Sequence, residues 1–240
     1  MIQVTRSGAV ATIALARPEA KNALPTAAWQ ALAAATRELS DARAVILRSD
    51  VAGIFSAGAD IREFEQLQAG PALRAAFRTA MREGIEAIAA IPVPVIAAVD
   101  GGCFGAAVAL ILAADIRIAG TLAEFAITPA RLGLGYPRED VARLEAQLGR
   151  GMASLLLFTG DKLRPDEAHK IGLVELKTRK AIDTATAMAN AIAGNAPEAV
   201  KLLKRTLRGE QTDQGFEDAF GGAELAEGLA AFRDRRNPVW

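Results

Sequence analysis

Val93-Pro94-Val95-Ile96-Ala97-Ala98-Val99 runs directly into Asp100-Gly101-Gly102-Cys103-Phe104-Gly105-Ala106-Ala107. The first seven residues are apolar and rich in β-branched side chains, the pattern of a strand buried on both faces. The following cluster of small residues opens an all-apolar helical pattern, Gly105–Ala113. Glycine and alanine at a strand-to-helix junction let another molecule approach the backbone. The first N–H groups of the helix are left without an acceptor inside it. The same arrangement stands upstream: the strand-like Ala44–Arg48 precedes Phe55-Ser56-Ala57-Gly58-Ala59-Asp60, which leads into a helical pattern at Ile61–Leu67. Two such N–H groups converging on one point make an oxyanion hole, in which losing one donor costs about 10²–10³ in rate.

Outward from these junctions, strands and helices alternate. Ile2–Arg6 and Val10–Leu15 read as a hairpin around Ser7-Gly8. Pro25–Leu39 has helical spacing with Thr26 as its cap, and Pro71–Ala90 is a further helix. Asp115–Ala119, Glu124–Ile127 and Val174–Leu176 are strands, whereas Arg138–Gly149, Gly151–Phe158 and Pro165–Gly172 are helical. From Lys180 onward the pattern is helical, broken near Asn195-Ala196-Pro197 and at Gly221-Gly222. Alternation of this kind predicts an α/β fold with a mostly parallel sheet covered by helices. Residues 1–180 form the α/β core and residues 181–240 a helical extension, packed on the core or on a neighbouring subunit. Open parallel sheets place ligands at the C-terminal ends of their strands, where both small-residue turns fall.

Composition narrows the function. Among 240 residues, 28 Lys+Arg balance 28 Asp+Glu, so no net field draws the chain to nucleic acid or to an anionic membrane. One cysteine, Cys103, cannot supply a disulfide framework, and one histidine, His169, does not suit a Ser-His-Asp triad or a His-rich metal site. No metal and no cofactor are expected. The most apolar stretch, Ile91–Ala114, is broken by prolines, glycines and Asp100 and reads as strand–turn–helix, not as a membrane span. The Met1–Arg6 segment lacks a basic-then-apolar leader pattern, which points to the cytoplasm.

The chain resembles the crotonase (enoyl-CoA hydratase/isomerase) superfamily nearly end to end. Phe55–Ile61 is similar to the family's F-x-A-G-A-D-[IL] segment, and Pro92–Gly105 to its K-P-V-I-A-A-V-N-G-x-x-x-G-G segment. Ala113–Ala119 resembles C-D-I-R-I-A, and Leu157–Gly160 with Ala168–Val174 resembles L-T-G…E-A-x-x-x-G-L-V. Glu227–Pro238 is similar to the C-terminal E-G-x-x-A-F-x-x-K-R-x-P. The resemblance implies a spiral of ββα units, assembly as a homotrimer or dimer of trimers, and an acyl-CoA substrate whose coenzyme A is part of that substrate. By position, it makes Ala59 and Ala106 the backbone oxyanion donors. It also carries substrate-binding positions onto Ala20, Lys21, Ala23, Ala57, Asp60, Ile61, Gly105, Pro129 and Leu132.

Two departures from the family pattern bear on the reaction. The places of the two hydratase glutamates hold Ala109 and Pro129. Syn addition of water needs one group to activate the water and one to deliver a proton, and both carboxylates are missing. Ile127–Tyr136 instead resembles the T-P-x-N-L-G-x-x-Y segment of the methylmalonyl-CoA decarboxylase branch, which itself keeps a glutamate where Ala109 stands. Loss of CO₂ generates an enolate directly, so decarboxylation needs an oxyanion site and a proton donor but no strong base. Tyr136, the sole tyrosine, and Glu139 and Asp140 just beyond it are the candidate acid–base groups. Each has a plainer reading: a wall of the acyl pocket for Tyr136, helix-dipole partners for the two acids. Arg131 and Arg138 are candidates to receive a substrate carboxylate, and Arg17, Lys21 and Arg233–Arg236 to receive coenzyme A phosphates. Cys103 and His169 read as packing and solvated residues. Decarboxylase- or isomerase-type enolate chemistry is preferred. The alternatives are an enoyl-CoA hydratase using a substitute acid, and a non-catalytic acyl-CoA-binding protein.

Overall fold

The computed structural model describes residues 1–39, 41–210 and 213–240. In chain order the elements are β1 (Ile2–Ser7), β2 (Val10–Leu15), α1 (Thr26–Ala35), β3 (Ala44–Ser49), β4 (Ile54–Ser56), α2 (Phe64–Ala69) and α3 (Pro71–Ala89). Then come β5 (Val95–Val99), β6 (Gly102–Phe104), α4 (Ala106–Leu112), β7 (Ile116–Ala119), β8 (Glu124–Ala126), α5 (Arg138–Leu148) and α6 (Arg150–Thr159). The chain closes with α7 (Pro165–Lys170), β9 (Leu176–Lys177), α8 (Ala181–Ala193), α9 (Pro197–Leu207), α10 (Asp213–Phe220) and α11 (Ala223–Asp234).

The strands form two sheets, one ordered β1-β2-β3-β5-β7-β9 and a smaller one ordered β4-β6-β8. Among the named strands, the β1–β2 hairpin is antiparallel and the other pairs are parallel. From β3 onward each ββα unit sends its first strand to the large sheet and its second to the small one, giving a spiral. The small sheet is the main departure from the sequence reading. β4 and β6 fall at or inside what read as turns, because three-residue strands are too short to show alternation. Their pairing, Ile54 with Gly102 and Ser56 with Cys103, aligns the two small-residue segments side by side.

The large sheet is covered on both faces, and the period-2 alternation of its strands divides the core. Ala11, Ile13, Val45, Leu47, Val95, Ala97 and Val99 face the main cluster with Trp29, Leu32, Ile85 and α4. Val10, Ala44, Ile46, Ile96, Ala98 and Ile118 face Ala181, Ala185 and Ala189 of α8. Alanines four residues apart line one side of that helix and let it lie close on the sheet. The α8 cap is distant in sequence: Asp100 accepts the N–H groups of Ala181 (2.7 Å) and Ile182 (3.0 Å). The opening residue of the second small-residue segment thus serves the far side of the sheet. Farther along, Lys204 of α9 is buried, its Nζ bonded to Val93 O (2.7 Å) and Asp115 Oδ2 (2.5 Å).

Two local expectations shift. Pro25, not Thr26, is the N-cap of α1; the Thr26 N–H and Oγ1 both donate to Glu63 Oε2 at 2.9 Å, tying α1 to the segment after Asp60. The last strand is Leu176–Lys177, two residues beyond the start expected at Val174. The C-terminal helices break where expected, while residues 211 and 212 of that span lie outside the described residues.

Candidate active site

The first small-residue segment is held by the chain just before α1. A short 3-10 turn, Pro18–Ala20, ends at Lys21 and Asn22, both with positive φ (52° and 55°). From there Lys21 O accepts the Ala57 N–H at 2.9 Å, Leu24 N–H donates to Gly58 O at 2.7 Å, and Asp60 N–H donates to Leu24 O at 3.1 Å. Leu24 and Ala59 therefore form a parallel bridge in which the residues flanking Ala59 make the bonds. In such a ladder the Ala59 N–H points to the other side, and among the described residues it has no acceptor. Lys21, Leu24, Ala57, Gly58 and Asp60 are thus tied together beside Ala59, with Ala20 and Ala23 on the turn that carries Lys21.

The second segment reaches the same place. Gly58 (φ 89°) lies so close to it that a Cβ there would stand 2.5 Å from Phe104 O and 2.9 Å from Ala106 N. Only glycine permits this approach. Gly105, with φ 54° and ψ −125°, precedes Ala106, the first residue of α4. The Ala106 N–H also has no acceptor among the described residues, as expected for a first-turn donor. Two unengaged N–H groups, on Ala59 and Ala106, thus stand on segments in van der Waals contact.

Around them, the remaining candidates separate. The Tyr136 hydroxyl donates to Gly105 O at 3.0 Å and accepts the Ala109 N–H at 3.2 Å. Burial, with the nearby Asp140 charge, pushes its ionisation well above the ordinary phenol range. Ala109 is fully buried in the interior of α4. Pro129 begins a 3-10 turn, Pro129–Leu132, whose Leu132 is exposed, as is Ile61. Asp140 is buried at 4% exposure beside a cavity of about 10 Å³, room for one water. That cavity is also lined by Arg82 and Glu86 of α3 and by Glu139. Burial raises the Asp140 carboxyl to about 6 against the opposing pull of Arg143, with Glu139 and Glu86 adding to the rise. Arg143 stands 3.5 Å from Asp140 and bonds Glu86 at 2.7 Å. Glu139 is half-buried.

The other polar and charged candidates find their partners as follows. Asp60 is buried at 4% exposure, caps the next turn through the Arg62 N–H (3.1 Å), and pairs with Arg17 at 2.6 Å. Burial pushes its carboxyl up, but the Arg17 and Arg62 bonds outweigh this and hold it below its usual range. Arg17 is thereby turned inward, to Asp60 and Ala23 O, instead of outward to a phosphate. Arg131 bonds Thr159 O and Asp161 at the end of α6, and Arg236 is held by Glu227. Arg138 and Lys21 are exposed. The Cys103 thiol is buried and its ionisation pushed up by burial; His169 is exposed, with Nδ1 3.3 Å from Val174 O.

The sequence reading missed Asn22. Fully buried, its side chain accepts the Arg17 N–H (2.7 Å) and donates to Ser49 Oγ (2.8 Å) and Phe55 O (2.9 Å), while its carbonyl accepts Ser56 Oγ (2.7 Å). It pins the first segment to the ends of β3 and β4. An asparagine just after a short turn, where positive φ is favoured, was the available signal.

Residues 5–240 match the family model described as enoyl-CoA hydratase/isomerase. The chain is 35% identical to human enoyl-CoA hydratase domain-containing protein 2, mitochondrial, over 95% of this chain and 84% of that protein. It is 32% identical to a short-chain-enoyl-CoA hydratase of Clostridium acetobutylicum, over 96% and 94%. Among solved structures, an enoyl-CoA hydratase/carnithine racemase from Magnetospirillum magneticum superposes with a TM-score of 0.93 at 31% identity, covering 100% of this chain and 94% of that one.

Proposed function

The chain belongs to the enoyl-CoA hydratase/isomerase family, and from that membership we propose that it binds an acyl-CoA thioester and stabilises its enolate between the N–H groups of Ala59 and Ala106. One observation carries the reading: among the described residues both N–H groups lack acceptors, and they belong to segments that touch at Gly58. An oxygen that gains negative charge as the enolate forms is the acceptor such donors favour, and preorganised donors cost no reorganisation as that charge appears.

The reaction we favour is decarboxylation or an isomerisation through the same enolate. Ala109 and Pro129 supply no carboxylate, so a water nucleophile lacks its usual activating pair. A malonyl-type thioester losing CO₂ needs only the oxyanion donors and an acid to return a proton to Cα. Of the two acids near Tyr136, Asp140 fits this role better than Glu139, because burial keeps its proton on to about pH 6. Ile61 and Leu132, apolar yet exposed, suit the acyl chain. The exposed Leu203, Leu207, Phe216, Phe220 and Phe232 of α9–α11 support assembly through the C-terminal helices into a trimer or dimer of trimers. A cytoplasmic site belongs to the same proposal and is checked by cell fractionation.

The deciding experiment incubates the protein with malonyl-, methylmalonyl- and enoyl-CoA thioesters and reads products by mass. A decarboxylated acyl-CoA or a shifted double bond supports the reading. A 3-hydroxyacyl-CoA as the main product assigns a hydratase with a substitute acid, and tight binding without turnover assigns an acyl-CoA-binding protein.

A further inference from the structure

We infer that Tyr136 is a positioning residue that fixes and polarises the peptide unit carrying the Ala106 N–H. This inference rests on the oxyanion reading proposed above. The Gly105–Ala106 peptide is a rigid plane with the Gly105 carbonyl on one side and the Ala106 N–H on the other. Whatever holds the carbonyl therefore sets the direction of the N–H. Gly105 itself offers little resistance to a peptide flip, since its φ of 54° and ψ of −125° are accessible only to glycine.

Two groups hold that carbonyl: the Val108 N–H at 3.0 Å and the Tyr136 hydroxyl at 3.0 Å. In a regular helix the Ala109 N–H would bond Gly105 O, four residues back. Here it ends on the Tyr136 oxygen at 3.2 Å instead, so the hydroxyl is inserted into the first step of the helical ladder. The direction of its proton is unambiguous. A carbonyl only accepts and an N–H only donates, so the tyrosine gives its proton to Gly105 O and receives the one from Ala109. A hydrogen bond accepted by an amide carbonyl strengthens the N–H of the same amide as a donor. The chain Ala109 N–H to Tyr136 O–H to Gly105 C=O thus ends in a sharpened Ala106 N–H, aimed where a thioester oxygen would sit. Tyr136 acts through the backbone and keeps its proton, which leaves the delivery of a proton to Cα to another group.

The test uses a bound aryl-enoyl-CoA such as 4-(dimethylamino)cinnamoyl-CoA, whose absorbance moves to longer wavelength when its carbonyl is polarised. We expect a red shift with the wild-type protein and a clearly smaller shift with Tyr136→Phe, with probe affinity held within about twofold. On the productive thioester found by the product panel, kcat should fall about tenfold with KM nearly unchanged. Tyr136 is the chain's only tyrosine, so growth on 3-fluorotyrosine alters this one hydroxyl while keeping the ring in place. Its more acidic O–H should enlarge the shift, a readout that survives even if Tyr136→Phe folds poorly. Full retention of the shift in Tyr136→Phe, or no change with fluorotyrosine, overturns the positioning role while leaving the oxyanion reading intact. Absence of any shift in the wild-type protein removes the oxyanion reading itself, and this inference with it.

Discussion

Arg17 and Asp60 form an inward-facing ion pair, Nη1 to Oδ2 at 2.6 Å, that fastens the turn before α1 to the segment bearing Ala59. The same guanidinium nitrogen donates to Ala23 O at 2.7 Å, so one cation bridges both sides of the Leu24–Ala59 bridge. Asp60→Asn leaves Arg17 only the exposed Glu19 (3.2 Å) as counter-charge and should cost about 3 kcal/mol, the low end for breaking a buried pair, because Arg17 is still partly exposed and keeps that second partner. Because the Asp60 carboxyl is held below its ordinary 3.8, its contribution is present above that pH and is lost as pH falls through the lower folded value. Urea unfolding of both proteins at pH 7 and pH 3 checks this: the gap should be wider at the first than at the second. Equal gaps would show that the pair does not stabilise the fold.

Asp140 has the opposite sign. Its carboxyl rises from 3.8 to about 6 on folding, so its favourable contribution is fully present below 3.8 and lost as pH rises through 6. Asp140→Asn should therefore be more stable than the wild type at pH 8, by on the order of 2 kcal/mol, and near parity at pH 4. If Asp140 is the proton donor, wild-type turnover should decline as pH rises through about 6, and the Asn variant should be slow at every pH. A flat wild-type profile across that range would remove Asp140 from the chemistry.

Ala106→Pro removes the proposed donor N–H; proline is tolerated at the first helical position, although its ring meets the close approach of Gly58, so melting temperature is measured alongside. Turnover of the folded variant should fall by about 10²–10³. Retained turnover in a folded variant would exclude Ala106 as an oxyanion donor.

Ala109→Glu places a carboxylate where the resemblance to the family leads one to expect it. The position is fully buried and the Tyr136 hydroxyl already sits on its N–H. The substitution should cost several kcal/mol by burying an unpaired carboxylate, with no gain in crotonyl-CoA hydration. Tyr136→Ala in the same chain opens room and should recover part of the loss. Hydration gained by Ala109→Glu alone, at unchanged melting temperature, would show that Tyr136 does not fill that place.

Local pattern in the sequence was enough for the α/β class, the alternation of strands and helices, the breaks at Pro197 and Gly221-Gly222, and the two small-residue segments. Hydrophobic periodicity and glycine or proline punctuation act over a few residues, so they survive without tertiary context. That Ala109 and Pro129 are not carboxylates was equally plain, while the expectation that carboxylates belong there comes from the family resemblance and not from any local pattern. Only the tertiary structure decided what long-range contact defines. β4 and β6 exist because they pair with each other and with β8. Asp100 faces α8, a bond spanning 81 residues, and Asp60 turns to Arg17 across 43. Asn22 acquires its role from Ser49, Phe55 and Ser56, and Tyr136 from the backbone of Gly105 and Ala109. A polar side chain is defined by the partner that satisfies it once it leaves water, and in this chain those partners are set by how the two sheets stack.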